Sequence, residues 1–444
     1  MQPWIATILT LAGISWLLFR DGRNHPDTSL GLWVATFWVG IAASKPASLW
    51  FDSGSRQILE KEFEGSSLDR NITLALLFFG IVILVRRQIN WSKLSAANRA
   101  LWAFHLFALV SIFWAEYPFV AFKRLIRDVG NIVMILVILS EVDPEEAIHA
   151  VFLRCVYILL PLSILVNKYY PAIGVYYNQW TGQAAFSGAT VDKNGLGRLA
   201  LLGGLFLLWS LDRQSVSGWS NKLRQGWPKV ILFLLCFQLL RQANSSTSVA
   251  CLIVGLAVYL VARRPGIRRN RRILVSGAFV LLFGALIALT AAELREIVTT
   301  SLGRSPDLTD RTRSWTETMA LQTNPLIGVG FASFWTTPDG ISLAEKLQVV
   351  SAHNGYLETY LNSGLIGTLL LLTVMMAAGR NTMNALIAGR SRGPLFAALF
   401  IVGLIYNLSE TAFNNTGIVA FILWFLALRY PLESHPPRPQ YHSN

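Results

Sequence analysis

The chain has 444 residues, the length of two or three soluble domains at roughly 150 residues each, but its composition excludes that reading. Hydrophobic residues make up 53% and charged residues 14%, and the mean hydropathy is +0.46, whereas soluble domains average about 25% charged. The net charge of +13 raises nucleic acid as a partner, yet Lys and Arg fall in short breaks between apolar runs rather than on one soluble face, the pattern of membrane topology. Fifteen Trp and twenty-five Phe add the aromatic excess of chains that meet lipid headgroups.

A bilayer core needs roughly 20 apolar residues as helix. In chain order, apolar runs occur near 3–19, 30–50, 71–86, 100–115, 128–141, 147–166, 196–212, 229–241, 246–262, 273–292, 357–378, 394–410 and 415–431. They predict an all-α integral membrane protein, a polytopic bundle of about 12–13 transmembrane helices with a large external loop, because a barrel would show ~10-residue alternating segments instead. The opening Met-Gln-Pro-Trp has neither a basic region nor a small-residue cleavage site, so no removable signal peptide is expected. Cys155, Cys236 and Cys251 all sit in apolar segments without C-x-x-C spacing, which gives neither a disulfide framework nor a zinc site.

The densest basic connection, Arg263-Arg264 through Arg271-Arg272, sets the orientation and is expected in the cytoplasm. Alternation then places Arg86, Arg87, Lys93, Arg99, Arg213, Lys222, Arg224, Lys229, Arg380, Arg390 and Arg392 on the same side. The acidic turn Glu141–Glu146 is the exception. The resulting division is 1–292, transmembrane helices with external loops near 51–70 and 167–195; 293–356, a large external loop; 357–431, further transmembrane helices; and 432–444, a cytoplasmic tail.

Helix–helix connections usually take 2–8 residues, so 293–356 is long enough to hold a site. It carries Arg304, Arg311 and Arg313, a helix start at Thr309 with Thr312, Trp315 and Met319 on one face, the block Asn324-Pro-Leu-Ile-Gly-Val-Gly330, and Ser351-Ala-His353-Asn354-Gly355. Of six histidines, His353 alone lies at an outer helix mouth beside the arginines. Imidazole, with a reference pKa of about 6.5, can take a proton from a hydroxyl at neutral pH. Guanidinium groups supply the fixed charge and bidentate donors that a diphosphate needs. The plainer alternatives are a capping or surface histidine and a solvated basic face. Gly328, Gly330, Gly364 and Gly367 read as turn and packing positions.

Three more groups add charge at the same side. Lys193 and Arg198 stand at a helix start within Asp192-Lys-Asn-Gly-Leu-Gly197. Arg241 precedes the hydroxyl-rich turn Asn244-Ser-Ser-Thr-Ser248, and Lys123, Arg124 and Arg127 share one helical side, where snorkelling to headgroups is the competing role. Glu410, near an outer helix end, is positioned to orient His353 or an arginine.

His353-Asn354, followed after nine residues by Gly364-Leu-Ile-Gly367, resembles the signature of the O-antigen ligase and polymerase superfamily. Asp310-Arg-Thr-Arg-Ser-Trp315 with Asn324–Gly330, Asp192–Gly197, and Trp114-Ala-Glu-Tyr-Pro118 are similar to further elements of its exopolysaccharide-polymerase branch. The ordered set covers about 50–430 and is more specific than the histidine motif alone. The resemblance implies a GT-C-like bundle in the bacterial inner membrane, with metal-independent, inverting transfer from an undecaprenyl-diphosphate-linked glycan to an acceptor hydroxyl. It implies no cofactor, a glycan or lipid-linked acceptor, membrane lipid and polysaccharide-assembly proteins as partners, and no nucleic acid. His353 carries over as general base or acceptor-orienting group, and Arg311 as diphosphate ligand; Asn354, Arg304 and Arg313 belong to the same binding region. The family places a basic residue inside the turn that here reads Asn244–Ser248, which leaves the second diphosphate ligand open among Arg241, Arg198 and Lys193.

The motifs lean towards polymerase over ligase, though the acceptor itself is not legible. A small-anion or solute transporter is the alternative of a different class, with Arg154 as its one mid-span arginine, but no internal repeat of the kind transporters show is found. A glycosyltransferase with an acidic base in the first external loop would draw on Asp52, Glu60, Glu62 and Glu64, which lack an Asp-x-Asp pair.

Overall fold

The computed structural model describes residues 1–24, 28–51, 66–177, 184–213, 225–268, 270, 277, 309–347, 349–413 and 417–431. The elements in order are α1 (Pro3–Asn24), α2 (Leu32–Ala42), α3 (Ser67–Arg86), α4 (Trp91–Ala97), α5 (Arg99–Ser111), α6 (Pro118–Leu139) and α7 (Pro144–Tyr169). A small hairpin follows, β1 (Val175–Tyr177) and β2 (Ala184–Phe186), paired antiparallel with Tyr176 opposite Ala185. Then come α8 (Lys193–Asp212), α9 (Trp227–Ala243), α10 (Ser246–Ala262), α11 (Thr309–Ala320), α12 (Pro338–Leu347), α13 (Gly355–Ile387), α14 (Gly393–Ser409) and α15 (Ile418–Ala427).

The protein is an all-α polytopic membrane protein. Five described helices, α1, α3, α7, α8 and α13, are long and apolar enough to cross a bilayer, and α4 with α5 forms a sixth candidate bent by 89° at Asn98. Shorter apolar helices are α2, α10, α14 and α15. Every apolar run of the sequence falls on a helix except 273–292, which apart from residue 277 lies outside the described residues. The run 128–141 is the C-terminal half of a helix that starts ten residues earlier, at Pro118. Its charged first half, with Lys123, Arg124, Arg127 and Asp128, hid that start from a hydropathy reading. Proline suits the first helical turn because no intrahelical partner exists there for the missing N–H.

Burial follows position in the bundle. The centre is built by α6, α7, α8, α14 and α15, where residues such as Ile135, Leu160, Leu205, Val402 and Phe421 are fully covered. By contrast, α1 and α3 turn Ile8, Leu9, Phe19, Phe78, Phe79 and Val85 outward. In water such faces would aggregate; in lipid they are the solvated surface.

The two ends of the bundle differ. The basic connections gather at one end, and there the acidic turn finds its partners: Arg87 pairs with Glu141, and Arg213 with Glu146 at 2.8 Å. Its acidity therefore does not conflict with the basic side; it neutralises two of that side's arginines. The opposite end, the mouth, carries the segments 112–117, 170–177, 184–192, 321–347, 349–354 and 410–413. Mid-span Arg154 is buried and donates to Asp21 at 2.7 Å, with its guanidinium over Trp33.

Candidate functional site at the mouth

The segment 324–331 docks onto an interruption in α13. Helix α13 breaks at Gly364 (φ 59°, ψ −162°), which frees backbone donors that 324–331 satisfies. Leu365 N–H donates to Pro325 at 2.8 Å and Ile366 N–H to Leu326 at 3.0 Å, while Val329 N–H and Gly330 N–H donate back to Leu361 and Asn362. Both glycines at the crossing are needed. A Cβ on Gly364 would stand 2.3 Å from the Leu326 carbonyl carbon, and one on Gly328 (φ 65°) 2.4 Å from Ser363 N. The Trp114–Pro118 turn and the helix ends flanking it support the other side: Ala115 packs against Gly330, Phe331 N–H donates to Ser111 Oγ at 3.0 Å, and Arg124 donates to the Ala332 carbonyl. Arg124 is thus tied to protein rather than to headgroups. Three separated sequence blocks converge here.

His353 sits at the edge of this platform in the left-handed region, φ 46°, a conformation that costs a non-glycine residue about 1–3 kcal/mol unless its surroundings fix it. The surroundings do. Ala352, just before it, donates N–H to Glu358 Oε2 at 2.9 Å and accepts Trp315 Nε1–H at 2.7 Å. Asn354, just after it, caps α13 by accepting from Tyr356 N and Leu357 N at 3.1 and 3.2 Å. Glu358 is buried and also accepts Trp335 Nε1–H at 2.7 Å. Sequence reading missed this carboxylate; its one cue is an acidic residue in the first turn after an Asn cap, which a solvent-facing helix start shows equally.

The imidazole meets Glu410. His353 Nδ1 lies 3.2 Å from Glu410 Oε2, with the histidine 33% and the glutamate 12% exposed. A carboxylate only accepts, so Nδ1 carries the proton in this contact, and in the neutral ring Nε2 then holds the lone pair. Glu410 is held in turn: Asn194 Nδ2 donates to its Oε1 at 3.0 Å, and Ser245 Oγ donates to Asn194 Oδ1 at 3.3 Å. Its turn is shaped by Asn407, whose Oδ1 accepts from Ala412 N and Phe413 N. A chain His353–Glu410–Asn194–Ser245 therefore joins α13, α14, α8 and α10.

The predicted basic residues divide. Arg198, one turn along α8 from Asn194, lies with its guanidinium 6.0 Å from the Tyr406 ring centre, and Tyr406 OH donates to Asn194 O at 3.3 Å. That brings Arg198 to the same cluster. Lys193 is half-buried at the first position of α8, and Arg241 is exposed near the end of α9. Arg311 and Arg313 lie on α11, whose Trp315 bonds the segment before His353; their side chains, and all of Arg304, lie outside the described residues, as do Asp52, Glu60, Glu62 and Glu64. The expected face of α11 is shifted: Ser314 and Thr318 are buried, while Met319 is 63% exposed. Ser314 and Thr318 suit close packing because they are small, and Thr318 Oγ1 satisfies itself on Ser314 O at 2.6 Å.

His105, buried within a helix, has a different environment. His105 Nδ1 faces Leu101 O at 2.8 Å and Nε2 faces Asp128 Oδ2 at 3.1 Å, with Trp424 Nε1–H on Asp128 Oδ1 at 3.0 Å. Both its nitrogens are occupied, which leaves none for a substrate.

Residues 230–372 match the family model described as O-Antigen ligase, a span that includes Arg241, α11, His353 and Gly364. The chain is also 27% identical over 344 residues to the exopolysaccharide production protein ExoQ of Rhizobium meliloti (strain 1021), covering 74% of this chain and 75% of that relative. Both matches agree with the resemblance to the O-antigen ligase and polymerase superfamily that the motifs of the mouth carry.

Proposed function

We propose that the protein is a membrane glycosyltransferase of surface polysaccharide assembly, acting on the outer face of the bacterial inner membrane. It transfers a glycan from undecaprenyl diphosphate to an acceptor hydroxyl, on a second lipid-linked glycan or a lipid-linked core. The observation that carries the reading is the His353–Glu410 contact at the mouth, because a carboxylate on Nδ1 favours the neutral tautomer whose Nε2 can accept a proton. In the proposed step the acceptor O–H gives its proton to Nε2 as its oxygen forms the bond to the anomeric carbon. The C–O bond to the diphosphate breaks on the opposite face, giving inversion and releasing undecaprenyl diphosphate. Glu410 orients the ring and stabilises the imidazolium that forms, as a carboxylate does in other histidine-based sites.

The leaving diphosphate gains negative charge, which arginines stabilise without a metal. Arg311 fills this role by the family resemblance, with Arg304 and Arg313 on the same segment. Of Arg198, Arg241 and Lys193, the contacts through Tyr406 and Asn194 favour Arg198 as the second ligand. Asn354 contributes by capping α13 and so fixing the histidine. Polymerase is favoured over ligase by the similarity to an exopolysaccharide production protein. Arg154, the one mid-span arginine that the anion-carrier alternative would draw on, is paired with Asp21.

The test is production of long-chain polysaccharide by cells carrying only His353→Ala or Arg311→Ala. The expected outcome is loss of long chains with normal membrane insertion; long-chain product retained in both would overturn the mechanism.

A further inference from the structure

At the basic end, far from the mouth, a second polar site stands open. Helices α5 and α13 run antiparallel and touch where a Cβ on Gly367 would meet Phe107 at 3.1 Å. At the basic end of this seam is a cavity of about 280 Å³, lined by Asn98, Arg99, Ala377, Arg380, Asn381 and Ala427 among others. From the break at Gly364 to Arg380 the helix rises about 24 Å at 1.5 Å per residue, so the cavity lies at the far end of this span from His353.

The cavity has a built frame. Asn98 Nδ2 donates to Leu94 O at 2.7 Å and Arg429 O at 2.8 Å, and its Oδ1 accepts Arg429 N–H at 2.7 Å. Asn381 Nδ2 donates to Leu426 O and Ala427 O at 3.0 and 2.8 Å. The two asparagines are spent on the backbone; the two arginines are not. Neither Arg99 nor Arg380 has a side-chain acceptor among the described residues, although other arginines of this end, Arg87, Arg213 and Arg263, are paired with carboxylates.

What surrounds the cavity points to the membrane. Arg380 continues a stripe of exposed apolar residues on α13, Leu365, Leu369, Leu372 and Met376, whose spacing keeps them on one helical face. Arg99 stands likewise at the end of an exposed face of α5 that includes Leu106 and Val110. Helix α4, at 89° to α5, lies along the membrane plane if α5 crosses it; its Leu94 is fully buried and its Trp91 is 52% exposed, the placing of an interfacial helix with an aromatic anchor. Two acyl-chain tracks thus end at two uncompensated guanidinium groups at headgroup level.

We propose that this cavity binds the phosphate headgroup of an anionic glycerophospholipid of the leaflet at the basic end, with its acyl chains along the exposed faces of α5 and α13. Phosphate accepts bidentate donation from Arg99 and Arg380, and basic pockets between helices on the cytoplasmic side suit anionic headgroups. A zwitterionic headgroup adds a cation beside two arginines and binds less well. The site holds membrane lipid rather than glycan donor, so it stands independently of the mouth chemistry.

The test uses the purified full-length protein in detergent, titrated with phosphatidylglycerol, phosphatidylcholine or inorganic phosphate. Thermal unfolding and native mass spectrometry are the readouts. Phosphatidylglycerol is expected to raise the midpoint by several degrees and to remain bound, whereas the other two do neither. In R99Q/R380Q its affinity falls about tenfold or more, each single variant loses part of it, and R390Q, altering an exposed arginine of another connection, retains it. Equal effects of phosphatidylcholine would make the site one for lipid in general, equal effects of inorganic phosphate would make it a free-anion site, and an undiminished response in R99Q/R380Q would place the lipid elsewhere; each result overturns the proposal.

Discussion

At the basic end Arg87, Arg213 and Arg263 meet Glu141, Glu146 and Asp212, and in mid-span Arg154 meets Asp21. At the mouth, Arg198 and Arg241 meet no carboxylate among the described residues, and the one acidic group bonded to His353, Glu410, is spent on the imidazole and on Asn194. A buried charge is costly until it is neutralised. Where the protein supplies the counter-charge, the arginine holds helices together; Arg198, half-buried beside Tyr406 and Asn194 with no carboxylate partner among the described residues, can take its counter-charge from a ligand.

The comparison can be broken most sharply at its ends. His353→Ala removes the base and is expected to lower glycan transfer by about 10²–10⁴-fold, with thermal stability near that of the parent; rates within a few-fold of the parent would make the histidine a cap. Asp21→Ala tests the opposite class. It leaves a buried guanidinium without its partner and should destabilise the fold by about 3–5 kcal/mol, read as a lower unfolding midpoint in detergent, while transfer per folded molecule stays unchanged. A specific loss of transfer without loss of stability would move Arg154 to the functional side.

Smaller effects sharpen the mouth itself. Glu410→Gln keeps the shape but removes the charge that favours imidazolium, so transfer should fall about 10–100-fold, less than for His353→Ala, with donor affinity preserved. A drop in donor binding at constant turnover would instead assign Glu410 to the substrate. Ser245→Ala removes one outlying hydrogen bond of the chain and is expected to cost about 0.5–1.5 kcal/mol, visible as a few-fold slower transfer that is additive with neither His353→Ala nor Glu410→Gln in double-mutant cycles.

Much of this architecture is legible in the sequence because lipid makes hydropathy a direct readout of fold. The helices follow from apolar length, and His353 from being the one histidine beside arginines at a helix mouth. Gly328 and Gly364 were readable as packing glycines, though their pairing across the α13 break was not. What the sequence conceals is contact between distant positions: Asn194 and Glu410 are 216 residues apart, and no local period connects them. Glu358 is hidden for another reason. A carboxylate at the start of a helix reads as ordinary dipole compensation, and only the burial against Ala352 and Trp335 shows it fixing the histidine's backbone. The charged first half of α6 misled in the opposite sense, since Arg124 serves the platform rather than breaking the helix.

The most direct test of the account is single-turnover transfer by the purified protein in lipid, with an undecaprenyl-diphosphate-linked glycan and an acceptor glycan. Release of undecaprenyl diphosphate is followed for the parent, His353→Ala and Glu410→Gln. Stoichiometric release with a lengthened glycan is expected for the parent, slower release for Glu410→Gln, and the slowest for His353→Ala at undiminished donor binding. Equal release rates for the parent and His353→Ala would contradict it.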